Sequence, residues 1–138
     1  MTGLWIVLAA AAVAVAFGGY RRISDGRVRA VSSSQQSRLD PVRLGDDLGP
    51  DATFVQFSAT VCAPCRATHR VLSEVAAERP GVVHIDLDAE SRLDLVEEFS
   101  ILRTPTVLVL DGAGVVRHRI VGAARKDEVL GALDALAA

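Results

Sequence analysis

The sequence predicts a small α/β domain that follows a single membrane-spanning helix. Residues 3–20 carry no charged side chain, and 16 of the first 20 residues are apolar. Beyond Leu39, short apolar runs rich in β-branched residues alternate with amphipathic stretches, which is the pattern of strands and helices in an α/β domain. The rest of the 138-residue chain has an ordinary globular composition, which excludes a disordered protein.

Residues 3–20 form the predicted transmembrane helix. As a helix they would extend about 27 Å, close to the hydrocarbon thickness of a bilayer. Trp5 and Tyr20 lie near the two ends, where amphipathic rings favour the headgroup region. Because Arg21 and Arg22 follow the span and no charged side chain precedes it, the expected location is the cell membrane with the domain in the cytoplasm. An extracytoplasmic domain and cleavage after the small alanines stay open as alternatives.

A juxtamembrane linker is predicted for residues 21–38, since Arg, Ser and Gln dominate there without apolar periodicity. Residues 39–138 form the predicted domain. Residues 21–43 hold six Arg and two Asp, whereas residues 44–138 hold nine basic and fifteen acidic side chains. This acidic balance argues against a nucleic-acid-binding domain.

Strands and helices of the domain are predicted in the order strand, helix, strand, helix, hairpin, helix. Pro80 and Gly81 end the first helix, and the turn at 111–114 joins the strands of the hairpin. This order favours parallel pairing of the first two strands. Strands are predicted at 53–58, 82–87, 106–110 and 115–121, and helices at 63–79, 91–99 and 126–136.

The motif Cys62-Ala63-Pro64-Cys65 lies between the first predicted strand and the first predicted helix. Free N–H groups and the dipole at a helix N-terminus stabilise a thiolate, so Cys62 is the expected nucleophile and Cys65 the resolving thiol. Pro64 is compatible with a first helical turn. The alternatives are an inert pair or a metal site with His69, but zinc would need a fourth ligand. We therefore expect no metal and no other cofactor, and an uninvolved His69.

From about Asp51 onwards the chain resembles the thioredoxin superfamily. Besides C-A-P-C, the resemblance is carried by Ile85-Asp86-Leu87-Asp88, Arg103-Thr104-Pro105-Thr106 and Val121-Gly122-Ala123. It implies a thioredoxin-like fold with a central mixed sheet flanked by helices, and dithiol–disulfide chemistry at the cysteine pair. It also implies a cis Pro105 and backbone pairing of Thr104 with an extended substrate segment. By the same resemblance Val61, Thr104 and Gly122 bind substrate, while the supporting residues are Ala63, Pro64, Gln56, Thr104 and Pro105.

Several positions depart from the family pattern. Val61 replaces the usual Trp, Ser58 an aromatic residue, and Arg70 the proline that kinks the helix. Gln56 replaces a buried carboxylate that assists proton removal from the second cysteine, and a neutral amide cannot take up that proton. These departures favour a dedicated partner over general protein-disulfide reduction.

The predicted function is therefore that of a membrane-anchored, monomeric thiol-disulfide oxidoreductase that reduces a dedicated partner. Expected substrates are protein or low-molecular-weight disulfides or persulfides, and the expected electron donor is a thioredoxin-reductase-like or membrane protein. The alternative is a docking or sulfur-carrier module for a sulfurtransferase-type enzyme, with little general reductase activity. Copper delivery is disfavoured because Met1 is the sole methionine.

Overall fold

The computed structural model describes residues 1–24, 27–31 and 37–138. An N-terminal helix is followed by a five-stranded sheet with helices on both faces. The helices are α1 Thr2–Ser24, α2 Pro41–Leu44, α3 Ala63–Glu78, α4 Leu93–Glu98 and α5 Lys126–Ala137. The strands are β1 Val28–Ala30, β2 Ala52–Ser58, β3 Val82–Asp88, β4 Thr106–Asp111 and β5 Val116–Val121.

The sheet is mixed and has the strand order β1-β5-β4-β2-β3. Strands β2 and β3 are parallel, whereas the pairs β2–β4, β4–β5 and β1–β5 are antiparallel. The predicted mixed sheet and its parallel first pair are thus confirmed. Strand β2 lies between two neighbours and is buried except at its last residue, Ser58, which explains its nearly continuous apolar sequence.

Two apolar clusters cover the two faces of the sheet. On one face Phe54 of β2 packs with Leu72 of α3 and Val129 of α5. On the other face Phe57 of β2 packs with Leu95 of α4. Because side chains alternate along a strand, Gln56 shares the face of Phe54 and therefore points towards α3. This alternation brings a buried polar side chain under the helix that carries the cysteines.

The structure adds two elements that the sequence patterns did not predict. Strand β1 pairs with β5 and places Val28 opposite Ile120, within the segment predicted to be a linker. Residues 28–30 of the predicted juxtamembrane linker thus form an edge strand of the sheet, while most of its Ser-rich run, 32–36, lies outside the described residues. The other addition, α2, is capped by the Asp40 carboxylate, which accepts a hydrogen bond from the Arg43 N–H at 2.9 Å.

Helix α1 has the length and apolarity that a bilayer-spanning helix needs. It has a mean hydropathy of 2.0, and none of its residues is buried against the domain. Arg21 and Arg22 lie in its last turn, beyond the predicted end at Tyr20. An N-terminal signal sequence has the same length and composition, so these properties identify a candidate membrane segment and no more.

Candidate active site at the cysteine pair

Cys62 lies at the corner between β2 and α3, as the sequence predicts. Its backbone is extended, and its sulfur caps the helix by accepting a hydrogen bond from the Cys65 N–H at 3.2 Å. Pro64 occupies the first helical turn, where backbone N–H groups have no partner within the helix, so the missing N–H of proline costs no hydrogen bond. Cys62 and Cys65 are joined by a disulfide, with 5.2 Å between their Cα atoms. The N-terminus of α3 therefore presents one backbone donor, the Cys65 N–H, to the first sulfur.

The two cysteines differ in solvent access. Cys65 is 4% exposed, whereas Cys62 is partly exposed and follows the fully accessible Val61. Thr68, one turn further along α3, is completely buried, and its hydroxyl oxygen accepts a hydrogen bond from the Ala124 N–H at 3.1 Å. Cys65 thus belongs to the buried side of α3, and an incoming reactant meets Cys62 first.

The segment before β4 lies at the same end of the sheet as the cysteine corner. Phe57, near the end of β2, pairs with Thr106 at the start of β4. The Thr104–Pro105 peptide bond immediately before Thr106 is cis. The Pro105 carbonyl accepts a hydrogen bond from the Gly122 N–H at 2.9 Å. Gly122 has φ +90°, a conformation that side chains with a Cβ rarely adopt.

Gln56 is completely buried and connects the second cysteine to β3. Its amide nitrogen donates to the Cys65 carbonyl and to the Ser58 hydroxyl, each at 2.9 Å. Its amide oxygen accepts from Nε2 of His84 at 3.1 Å. Both donors and the acceptor of this neutral side chain are therefore satisfied, which is what makes its burial favourable.

His84 is held in the neutral state by its surroundings. Burial and the neighbouring His69 lower the pKa of His84 to about 4, although the Asp86 carboxylate opposes this shift. With Nε2 donating to Gln56, the Nδ1 atom accepts from the Ser73 hydroxyl at 3.1 Å. His84 is therefore an uncharged donor to Gln56 at neutral pH.

A second branch of hydrogen bonds runs from Gln56 to the surface. The Ser58 hydroxyl donates to Oδ1 of Asp86 at 2.6 Å, and Oδ2 of Asp86 lies 2.9 Å from Nδ1 of His69. The carboxylate oxygen accepts this hydrogen bond, so Nδ1 of His69 carries a hydrogen and donates it to Asp86. His69 also contacts His84, with 4.8 Å between the ring centroids.

A cleft of about 450 Å³ opens beside the disulfide. It includes both cysteines and the His69–Asp86 pair, and it continues along α3 past two exposed arginines, Arg66 and Arg70. The cleft thus brings together a disulfide-bonded cysteine pair, a histidine that donates to a carboxylate, and two cationic side chains.

Sequence patterns alone missed the part played by β3. The sequence patterns give no sign that His69 and Asp86 meet, whereas in the structure Nδ1 of His69 lies 2.9 Å from Oδ2 of the exposed Asp86. The reason is the parallel register, which places Gln56 opposite Asp86 and Phe54 opposite His84. A polar residue within the apolar run of β2 is the one signal in the sequence that pointed to a buried polar network.

Comparison with known proteins identifies the family. The family model named Thioredoxin matches residues 48–135. A thioredoxin from Mycolicibacterium smegmatis is 40% identical over 81 residues, which cover 56% of this chain and 70% of that protein. A thioredoxin H-type protein from Fagopyrum esculentum is 37% identical over 76 residues, or 55% of this chain. The matched segment spans 64% of the Fagopyrum protein, slightly less than two thirds of its length.

Solved structures show the same relationship. A crystal structure of a thioredoxin from Nicotiana alata superposes with a TM-score of 0.52 at 32% identity, covering 59% of this chain and 70% of that one. The family match includes β2, the cysteine corner, the segment before β4 and most of α5. By sequence, fold and the position of its cysteine pair, the chain belongs to the thioredoxin family.

Proposed function

We propose that this chain is a membrane-tethered thiol-disulfide oxidoreductase that cycles between the Cys62/Cys65 dithiol and disulfide. The observation that carries the proposal is the difference between the two sulfurs. One is partly exposed at the N-terminus of α3, and the other belongs to a residue that is 4% exposed. This asymmetry suits an attacking and a resolving thiol in a thioredoxin-family domain.

Reduction of a substrate proceeds in two exchanges. The Cys62 thiolate attacks one sulfur of the substrate disulfide, forms a mixed disulfide and releases the first substrate thiol. The Cys65 thiolate then attacks the Cys62 sulfur, forms the intramolecular disulfide and releases the second substrate thiol. Two electrons pass from the pair to the substrate, and the protons of the dithiol end on the two released thiols.

Three features support the thiolate of Cys62. The Cys65 N–H, 3.2 Å from the Cys62 sulfur, donates to it, and the positive end of the α3 dipole favours negative charge there. Arg66 lies one turn further along the same helix and lines the same cleft. Cys62 thus has the electropositive, accessible surroundings of a reactive cysteine.

We assign His69 as the acceptor of the Cys65 proton during the second exchange. Gln56 cannot accept a proton, although it is the side chain bonded to the Cys65 carbonyl. His69 lines the cleft with both cysteines, and Asp86 orients the ring so that Nε2 has a free lone pair. Among the described residues, Asp86 and His84 of β3 contact this ring, and Arg66 and Arg70 of α3 line the same cleft. Asp86 is a positioning residue in this assignment.

Substrate docks as an extended segment along Thr104, whose backbone adds it to the end of the sheet. In this proposal Val61, which directly precedes Cys62, and Gly122, whose N–H donates to the Pro105 carbonyl, also contact the substrate. The expected substrates are protein or low-molecular-weight disulfides or persulfides, and the electron donor is a thioredoxin-reductase-like or membrane protein. The protein acts as a monomer in this proposal.

Reduction of insulin by the full chain in non-ionic detergent tests the proposed activity. With dithiothreitol as the electron source, we expect insulin chains to precipitate faster than with the Cys62→Ser variant. If insulin precipitates at the same rate with the wild-type chain and with Cys62→Ser, general reduction of protein disulfides by the cysteine pair is excluded. Persulfide transfer from a sulfurtransferase to Cys62 would then favour the sulfur-carrier alternative, which the Gln56 and Val61 departures support.

The membrane anchor and its orientation are part of the proposal. Helix α1 anchors the chain, and Arg21 and Arg22 keep the domain on the cytoplasmic side, where the pair rests as a dithiol. C-terminal fusions test this topology. A cytoplasmic domain should give a fluorescent fusion with green fluorescent protein and an inactive fusion with alkaline phosphatase. An active phosphatase fusion together with a dark green fluorescent protein fusion would place the domain outside.

A further inference from the structure

We infer that Arg66 and Arg70 select substrate segments that carry Asp or Glu two and four residues from the target cysteine. This inference rests on the proposed thiol-disulfide exchange and adds a substrate class to it. The ligand is an extended acidic peptide segment of a partner protein. On one side of the target cysteine it pairs with Thr104, as proposed above, and on the other side it lies along the cleft beside Cys62 and α3.

Both arginines lie on the face of α3 that begins at Cys62. Arg66 and Arg70 follow Cys62 by four and eight residues, and positions spaced in this way share one side of a helix. All three residues line the cleft of about 450 Å³. The two cations thus form a wall that leads directly away from the attacking sulfur.

Neither arginine is neutralised within the part of the chain that the structure describes. Several other basic side chains of the domain are in ion pairs, as in Arg43–Glu98, Arg79–Asp134 and Lys126–Glu74. The carboxylate that lines the cleft belongs to Asp86, and its two oxygens are already bonded to Ser58 and His69. The wall therefore has unused positive charge, although residues 44–138 are acidic overall.

The spacing of the arginines matches an extended chain. Four helical residues advance about 6 Å along the axis, so Arg66 and Arg70 lie about 6 and 12 Å beyond Cys62. In an extended segment, side chains on one face recur every two residues, or about 6.6 Å. A target cysteine at Cys62 thus places the side chains two and four residues away beside Arg66 and Arg70.

Peptide disulfides test this selection on the reduced full chain in non-ionic detergent. Each peptide contains one cysteine joined to 2-thiopyridine, a neutral leaving group, and carries Glu, Gln or Lys two and four residues from it. One series has these residues before the cysteine and another has them after it. Exchange consumes the dithiol and the peptide disulfide and yields the protein disulfide, the peptide thiol and 2-thiopyridone, whose absorbance gives the rate.

We expect the Glu peptide of at least one series to react about 3- to 10-fold faster than its Gln counterpart, and the Lys peptide to react more slowly. Because the charges are partly exposed, the ratio of the Glu rate to the Gln rate should approach one in about 0.5 M salt. The variant Arg66→Glu/Arg70→Glu should reverse the order of the Glu and Lys peptides. Rates are compared as ratios within one variant, so that a change in Cys62 reactivity cancels.

Arg38→Glu is the control for a charge reversal outside the cleft. Arg38 is exposed, and its backbone forms an antiparallel bridge with Val115, which does not line the cleft. This variant should keep the wild-type ratio. Equal rates for the three peptides in both series, or a Glu preference that survives in Arg66→Glu/Arg70→Glu, would overturn the inference while leaving the exchange activity intact. Failure of the Gln peptide to react at all would instead overturn the proposed function.

Discussion

The amide oxygen of Gln56 accepts a hydrogen bond from Nε2 of His84 at 3.1 Å, while the amide nitrogen of Gln56 donates to the Cys65 carbonyl at 2.9 Å. Two uncharged side chains therefore support the second cysteine from below. Burying neutral groups costs less free energy than burying a charged pair. In this arrangement, however, neither Gln56 nor His84 can accept the proton that Cys65 must release.

Replacing Gln56 with Glu should lower stability and quicken exchange. The Cys65 carbonyl and the Ser58 hydroxyl lose their donor and face a carboxylate, so the free energy of unfolding should fall by about 1–3 kcal/mol at pH 7. The same carboxylate supplies a proton acceptor near Cys65. Urea unfolding and peptide-disulfide turnover measure the two effects, with Gln56→Met as the uncharged control that should lose stability without gaining rate. A slower Gln56→Glu variant would contradict this account.

His84 should make the domain less stable in acid. Its pKa is about 4 in the folded protein, against the ordinary histidine value of 6.5 for the unfolded chain, so the unfolded chain binds the extra proton between these values. The free energy of unfolding should therefore fall as pH is lowered from 6.5 to 4, by about 1–2 kcal/mol after allowance for the partly exposed ring.

The His84→Gln variant isolates this contribution. The loss of stability between pH 7 and pH 4.5 should shrink by about 1–2 kcal/mol in urea unfolding of the full chain. Burial also lowers the pKa of His118, but that contribution is common to both proteins and cancels in the comparison. An identical pH dependence in wild type and variant would show that His84 titrates normally.

His69→Gln should slow the second exchange and spare the first. In a single turnover with a peptide 2-pyridyl disulfide, thiopyridone release should keep its rate, while release of the peptide thiol should slow about 10-fold near pH 7. The deficit should shrink at higher pH, where solvent bases remove the Cys65 proton. Asp86→Asn should give a smaller defect of the same kind, since it only misplaces the ring. His118→Gln is the distant control, and an equal effect there would argue against a role for His69.

Cys62 should be the more reactive thiol of the reduced full chain. It is partly exposed, and its sulfur accepts a hydrogen bond from the Cys65 N–H at the start of α3, whereas Cys65 is only 4% exposed. At neutral pH we expect iodoacetamide to alkylate Cys62 at least about 10-fold faster than Cys65. Fragment spectra of the labelled peptide distinguish the two sites. Faster labelling of Cys65 would exchange their assigned roles.

Periodicity and turn residues were sufficient to predict the frame of the fold. The apolar run at 53–58, the helix after Cys62 and the stop at Pro80 predict the β2–α3 corner closely, because each signal is local. Strand β1 was not predictable in this way, since three residues paired only with β5 carry no periodic pattern.

The site was predictable only in part for a related reason. The two cysteines lie within four consecutive residues, and this C-x-x-C spacing by itself indicates thiol-disulfide chemistry. The Gln56–His84 and Ser58–Asp86 bonds each join residues 28 positions apart, and they depend on the register of β2 against β3. A shift of one residue would turn these side chains to the opposite face of β3, so no composition or spacing rule could have identified them.

Trapping of the mixed disulfide tests the central claim, that Cys62 attacks and Cys65 resolves. The full chain carrying Cys65→Ser should accumulate a disulfide-linked adduct with its partner through Cys62, visible on non-reducing gels and lost on reduction. Cys62→Ser and the double variant serve as controls and should form none. An adduct with Cys62→Ser, together with none with Cys65→Ser, would contradict the assignment.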